Sequence, residues 1–214
     1  MMLNQAAMSK VSNHRVACVT GGAKRIGRAL VLALHQANYN IIIHYHTSES
    51  EAIELVDYCN AIRPQSAKSV QGDLEDFETL PQLTWRIINS FGRLDCLVHN
   101  ASRFYPTPFG QISQQDWQNL FLTNAQTPLF ISQYLYPYLK KSQGCIISIL
   151  DIHANGKPFG GYTVYNMAKA AHQMMVQSLS MELAPDIRVN GIAPGMNLLL
   201  MKRTEQARTA ETIQ

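Results

Sequence analysis

"RVACVTGGAKRIGRALVLALHQA", residues 15–37, changes period in its middle. The first six residues form a short, nearly continuous apolar run. From Arg25 onward apolar residues return at intervals of three and four. A switch from strand to helix spacing across Gly21-Gly22 reads as one βα unit, and a strand without polar alternation is buried on both faces. The pattern then repeats. "YNIIIHY" (39–45) precedes "SEAIELVDYCNAI" (50–62), and "SAKSVQGD" (66–73) precedes "FETLPQLTWRIINSF" (77–91). "LDCLVHNA" (94–101) leads to one helix through "WQNLFLTNAQTPLFISQYLYPYL" (117–139), and "GCIISILD" (144–151) to a long helix at 162–185; "IRVNGIAPG" (187–195) ends the series. Alternating units of this kind predict an α/β fold, a Rossmann-like doubly wound parallel sheet with helices on both faces, because right-handed crossovers place helices on either side.

The bulk properties bound the function. A chain of 214 residues suits one domain, and 46% hydrophobic with 15% charged residues describes a globular protein. Residues 1–14 read as a flexible lead-in without the apolar core of a secretory signal, and residues 15–214 as a single dinucleotide-binding catalytic domain. A formal charge of +3 with no Lys/Arg block argues against a nucleic-acid partner. No apolar run approaches the ~20 residues that span a bilayer, so no membrane partner is expected. The four cysteines lack CxxC or zinc spacing, which implies reduced thiols and a cytoplasmic location. "HYH" at 44–46 offers two rings but no third ligand, so no metal is expected.

In doubly wound sheets, ligands bind beyond the carboxyl ends of the strands. Here every strand end carries a polar or glycine-rich segment: "TGGAKRIGR", "HYHTS", "GDL", "HNASRFYPTP", "LDIHANG" and "APGMN". The first can present backbone N–H groups and a helix N-terminus to a pyrophosphate, although on its own it is equally a tight βα connection. In the long helix, Tyr165 precedes Lys169 by four residues and shares its face. Such a pair also occurs on solvated helix faces, so the strand ends give it its weight.

Thr20-Gly21-x₅-Gly27, "NAS" at 100–102, the single Asn124, Tyr165-x₃-Lys169 and Pro194-Gly195 together resemble the short-chain dehydrogenase/reductase family. The resemblance runs over roughly residues 15–197. "TGGAKRIGR", "HYHTS", "NASRFYPTP" and an Asp at the fifth strand end look most like the pteridine reductase branch, which reduces dihydrobiopterin, dihydromonapterin or dihydrofolate types of substrate with NADPH.

That resemblance implies a set of roles. Tyr165 is the proton donor, Lys169 binds the nicotinamide ribose and lowers the tyrosine pKa by its charge, and Asn124 distorts its helix to hold a water. Asp151 stands where most members carry a serine; its carboxyl suits the amide and amino groups of a pterin. Ser148 is the possible substitute, but it lies inside the strand. Phe104 stacks the pterin, with Ser102 and Arg25 adding polar contacts. The cofactor NADPH is implied to contact Gly21, Lys24, Arg25, Ile26, Gly27, His46, Thr47, Ser48, Asp73, Leu74, Asn100, Ala101, Ser102, Lys169, Pro194 and Gly195. The second strand end offers His46, Thr47 and Ser48 before any acid, with Lys24 near, which favours a 2′-phosphate over a free ribose hydroxyl. A homotetramer is the family's assembly.

Two departures stand out. The loop from Asp151 to Tyr165 is one residue longer than the pattern, around Gly156-Lys157. The family's C-terminal strand and helix are missing after "APGMNLLLMKRTEQARTAETIQ", so the domain reads as truncated. Two alternatives therefore stay open: a carbonyl or 3-oxoacyl-thioester reductase of the same fold, and a weakly active or inactive cofactor-binding remnant.

Overall fold

The first strand, β1 (Val16–Val19), is buried at every position, as its unbroken apolar run requires. The structure is a computed structural model and describes residues 11–154 and 156–195. β1 leads through the glycine turn into α1 (Arg25–Gln36), where Gly27, Val31 and His35 form a buried stripe at four-residue spacing. β2 (Asn40–Tyr45), α2 (Glu49–Ile62), β3 (Ala67–Gln71), α3 (Leu80–Phe91) and β4 (Cys96–His99) continue the alternation. After them come α4 (Gln114–Phe121), α5 (Thr127–Lys141), β5 (Cys145–Ile149), α6 (Thr163–Glu182) and β6 (Arg188–Ile192). Among the described residues the sheet has six parallel strands in the order β3-β2-β1-β4-β5-β6. The order reverses between β1 and β4, and a crevice opens at their carboxyl ends.

Strand alternation divides the core. Val16, Cys18, Ile42, Leu97 and Ile146 pack with residues of α3, α5 and α6, whereas Ala17, Val19, Ile41, Ile43 and Val98 pack with residues of α1 and α2. Local signals fix the ends. Ser113 and Asp116 form a reciprocal capping box at the start of α4, an arrangement contributing about 1 kcal/mol. Gly92, with φ of 71°, closes α3 in the left-handed conformation. Asp95 accepts the Val16 N–H at 2.8 Å and pairs with Arg93 at 2.6 Å, which pins the start of β1 beside β4.

The helix read over 117–139 carries at Asn124 the distortion that the family resemblance implies. The rod is continuous but widens into a π turn at Leu122–Gln126, where the Thr127 N–H reaches back to Leu122 O. Asn124 Nδ2 donates to Leu120 O at 2.9 Å and so competes for the carbonyl that a regular turn would use. No helix among the described residues is long and apolar enough to cross a membrane. The expectations for the chain after Gly195, and for most of the lead-in, lie outside the described residues.

Candidate active site

The glycine turn is held from three directions. Gly21 takes φ of 59°, and a Cβ on Gly27 would fall 2.2 Å from Gly21 O, so the two glycines make one close backbone crossing. Asn100 Nδ2 donates to Thr20 O at 2.9 Å and Gly21 O at 3.0 Å. The N–H groups of Asn100 and Ala101 donate to Thr20 Oγ1, which itself donates to Val98 O. Beneath the turn, the Gly21 N–H donates to His44 Nδ1 at 3.2 Å, and His44 Nε2 lies 3.1 Å from Gly72 O. One neutral tautomer, protonated at Nε2, satisfies both contacts; burial pushes this imidazole down to about 4. Sequence reasoning weighed His44 only as half of a metal pair and missed it as the anchor of the turn. Its position at the carboxyl end of a wholly buried strand was the available signal. No group of three metal-binding side chains occurs among the described residues.

The turn opens into a cleft of about 360 Å³ lined by Gly21, Lys24, Arg25, Ile26, Gly27, His46, Thr47, Ser48, Asn100, Ala101 and Ser102. These residues come from three strand ends and the start of α1. Arg25 is exposed with φ of 49°, a conformation that favours glycine. Asp73 and Leu74 stand at the neighbouring β3 end and do not line the cleft; Leu74 is buried and Asp73 lies 3.7 Å from His46. Pro194 and Gly195 also lie off the cleft, and a Cβ on Gly195 would sit 3.9 Å from Ile152 Cδ1, beside the Asp151 loop.

Lys24, expected near the second strand end, does stand there, but with an acid beside it. Lys24 Nζ is 2.6 Å from Glu51 Oε1, in the first turn of α2, and this contact holds the Glu51 carboxyl below its usual range. A 2′-phosphate at Thr47 and Ser48 would compete with Glu51 for the ammonium.

Tyr165 and Lys169 share the buried face of α6. The Tyr165 hydroxyl donates to Asp151 Oδ2 at 2.7 Å, and Lys169 Nζ donates to Ile149 O at 3.0 Å. The two chemical groups are therefore brought together with the fifth strand end, as the strand-end argument expects. The direction of tuning differs from the expectation. The Tyr165 pKa is raised, first by burial and then by the hydrogen bond and charge of Asp151. Lys169 Nζ lies 5.9 Å from the Tyr165 ring centroid and gives its hydrogen bond to Ile149 O. A carboxylate acceptor at 2.7 Å outweighs a cation at that distance, so the phenol keeps its proton. Burial also draws Lys169 down to about 8, with Asp151 opposing.

Ser148 is ruled out as the polar group at this end of β5, because it is wholly buried and 3.0 Å from His172 Nε2. Asn124 sits in the π turn, accepts from Ser102 Oγ at 2.7 Å, and donates to Arg103 O at 3.0 Å. Arg103 pairs with Glu75, whose Oε1 also accepts from Thr123 Oγ1. This strut joins the β3 and β4 ends to the π turn. Phe104 is 55% exposed, stacked on Tyr162 at 4.5 Å and edge-on to Tyr165 at 4.8 Å. An aromatic wall thus stands beside Tyr165 and Asp151, with Phe159 extending it at 4.8 Å from Tyr162.

The residues present fit a dinucleotide. Side chains are absent where a backbone must approach closely, as the Gly27–Gly21 crossing shows, and the cleft runs from the glycine turn to Ser102. A family model described as short chain dehydrogenase matches residues 15–210. Pteridine reductase 1 of Leishmania tarentolae is 35% identical, covering 86% of this chain and 77% of its own length. A hydroxynaphthalene reductase-like protein of Metarhizium anisopliae is 28% identical over 85% of this chain and 67% of its own. The 1,2-dihydroxy-1,2-dihydronaphthalene dehydrogenase of Pseudomonas putida is 30% identical over 86% and 71%. The chain belongs to the short-chain dehydrogenase/reductase family and is an oxidoreductase of its nicotinamide-dependent kind, more similar to the pteridine reductase than to the other two relatives.

Proposed function

We propose that this short-chain reductase uses NADPH to reduce a pterin, of the dihydrobiopterin, dihydromonapterin or dihydrofolate type, with Tyr165 as proton donor. The observation that carries the reading is the 2.7 Å hydrogen bond from the Tyr165 hydroxyl to the Asp151 carboxylate beside the Phe104 wall. A ketone oxygen asks for two hydrogen-bond donors, and a carboxylate offers none. A pterin presents N–H donors that a carboxylate can accept, next to a ring nitrogen that must gain a proton. Phe104 and Tyr162 offer an aromatic face of matching shape, which holds a flat ring in one orientation.

The nicotinamide, when bound, supplies the hydride. The chain's own residues do the rest. Tyr165 holds a proton at Oη, since burial and Asp151 disfavour its anion, and delivers it to the substrate nitrogen. Lys169, already close to its neutralisation point, orients the ribose and balances the tyrosinate once the proton has left. Asn124 and Ser102 fix the floor of the site through their 2.7 Å contact. Arg25, Ile26, Gly27, Asn100 and Ala101 receive the cofactor, with Lys24, His46, Thr47 and Ser48 at its 2′-phosphate, Asp73 and Leu74 at the adenine, and Pro194-Gly195 at the far wall. The reading extends to one catalytic domain from residue 15 onward, cytoplasmic pterin or folate metabolism, and a homotetramer whose mass sedimentation can check.

NADPH oxidation with dihydrobiopterin, dihydrofolate and an acetoacetyl thioester tests the substrate. Dihydropterin turnover is expected to exceed thioester turnover, and Asp151→Ser to reduce the former while leaving NADPH binding nearly intact. Tyr165→Phe is expected to lower kcat by about 10²–10⁴-fold, the range of general acid catalysis. NADPH should bind more tightly than NADH, by a margin that narrows at high salt as phosphate contacts are screened. Dihydropterin turnover unaffected by Asp151→Ser would remove the pterin assignment.

A further inference from the structure

Thr123 lies in the π turn and Thr127 directly follows it, and neither behaves as a threonine inside a regular helix of this protein does. Thr84 in α3 returns its hydroxyl to its own helix, 3.1 Å from Leu80 O and 2.9 Å from Pro81 O. Thr123 Oγ1 donates instead to Glu75 Oε1 at 3.0 Å, and Thr127 Oγ1 to Leu74 O at 2.7 Å. Both threonines are buried. The loop that follows β3 therefore grips the widened turn at both ends, with Asn124 between them. A π turn is rare within helices, and an unusual backbone of this kind persists where its surroundings over-determine it.

Glu75 does more than meet Thr123. The oxygen that accepts from Thr123 also accepts from Arg103 Nε, and the second oxygen accepts from Arg103 Nη2 at 2.8 Å. A bidentate, charge-assisted pair of this kind fixes the relative orientation of both groups. The Glu75 N–H donates to Asp73 Oδ1 at 2.9 Å, which closes the loop on itself. Arg103 stands between Ser102 and Phe104 in the chain, and its carbonyl accepts from Asn124 Nδ2 at 3.0 Å. One carboxylate thus holds both the segment that carries Phe104 and the turn that carries Asn124. The side chains of Glu75 and Arg103 are 23% and 43% exposed, and partly solvated pairs contribute little to stability. What this pair supplies is geometry.

We propose that Glu75 is a positioning residue that sets two parts of the site at once. Through Thr123 it holds the π turn that places Asn124, and through Arg103 it holds Phe104 against the substrate ring. The proposal rests on the reading of Phe104 and Asn124 as parts of the reacting site. Glu75 does not line the cofactor cleft, so it reaches the reaction only through its two partners. Those partners make two different losses. A loosened Asn124 is felt as the proton moves, after substrate is bound, and lowers kcat. A loosened Phe104 is felt as the flat ring docks, and raises KM.

The experiment measures kcat, substrate KM and NADPH affinity for wild type, Thr123→Val, Thr123→Ser, Arg103→Gln, Glu75→Ala, Asn124→Ala, and Glu75→Ala combined with Asn124→Ala. Thr123→Val is expected to lower kcat about tenfold and to change KM by less than about twofold. Thr123→Ser, which keeps the hydroxyl, should retain most of kcat. Arg103→Gln should raise KM about fivefold with a smaller effect on kcat. Glu75→Ala should show both losses, and it leaves Arg103 in contact with water, so no buried charge is stranded. Once Asn124 is replaced, Glu75→Ala should cost less than about twofold more in kcat, because the group it places is gone. Independent structural damage would add in full. NADPH affinity should stay within about threefold in Thr123→Val, Thr123→Ser and Arg103→Gln. An unchanged kcat in Thr123→Val, equal losses in Thr123→Val and Thr123→Ser, an unchanged KM in Arg103→Gln, or additive losses in the double variant would overturn the proposal. The assay uses whichever substrate the wild type reduces. Turnover of the thioester alone would sink the pterin reading while leaving the role of Glu75 open to the same comparison.

Discussion

Lys169 is an ammonium on a side chain only 3% exposed, held by a single carbonyl at 3.0 Å. Its proton is less favoured in the fold than in the unfolded chain, about 8 against an ordinary ~10.4. Below pH 8 both states carry the proton and the full cost of burying the charge is felt. Between pH 8 and about 10.4 the unfolded chain binds more protons, so stability rises with pH as the cost is relieved. Lys169→Met is therefore expected to stabilise the protein at pH 7 by an amount of order 1–3 kcal/mol, a few degrees in Tm, while abolishing most turnover. The gain should fade toward pH 10. A lower Tm for the variant at pH 7 would mean that the fold compensates this charge fully. At this scale the Tyr165–Lys169 spacing was legible because four residues on a helix fix a shared face. The Tyr165–Asp151 bond was not: two residues from different elements meet only once β5 and α6 are packed, and that meeting reverses the direction in which Tyr165 is tuned.

The entry to α1 shows what one element demands of its first residue. Arg25 begins the helix with φ of 49°, in the region where an L side chain costs about 1–2 kcal/mol and glycine costs nothing. Arg25→Gly relieves that strain, whereas Arg25→Ala removes the guanidinium and keeps it. The glycine variant is expected to be more stable than the alanine variant by about 1 kcal/mol, and the two should lose NADPH affinity equally if only the side chain contacts the cofactor. Urea unfolding and cofactor titration of both variants provide the check; an alanine variant as stable as the glycine one would remove the strain argument. The βα elements themselves were legible, because a change of hydrophobic period is a local property. The π turn around Asn124 was legible only through the family resemblance, since the apolar stripe of "WQNLFLTNAQTPLF" is nearly the same whether the helix widens or stays regular. What decides it is a side-chain bond to Leu120 O.

Across the whole molecule, the doubly wound parallel sheet followed from patterning and crossover handedness, but its strand order and its polar interior did not. Histidines in apolar strands give no sign of whether they are buried neutral or turned to solvent. The structure buries His44, His99 and His172 with their pKa values lowered to about 4, 3 and 3. In the unfolded chain each titrates near 6.5. As pH falls below that value the unfolded state takes up protons that the fold refuses, so stability falls. The slope per histidine approaches about 1.4 kcal/mol per pH unit, and three together approach about 4 until the pH nears 4 and His44 begins to charge in place. Against a total of roughly 5–15 kcal/mol, a descent from pH 6.5 to 5 should consume a large part of the stability, before most carboxylates titrate. The expected result is a urea midpoint that falls steeply over that interval, with these three histidines contributing close to three protons to the uptake on unfolding at pH 5 and His35, also lowered by burial, adding to it. His99→Gln, uncharged at every pH, should lower the uptake by one and make the slope shallower by about a third, whatever it does to stability at pH 7. A slope unchanged by His99→Gln would show that this imidazole already carries its charge inside the fold.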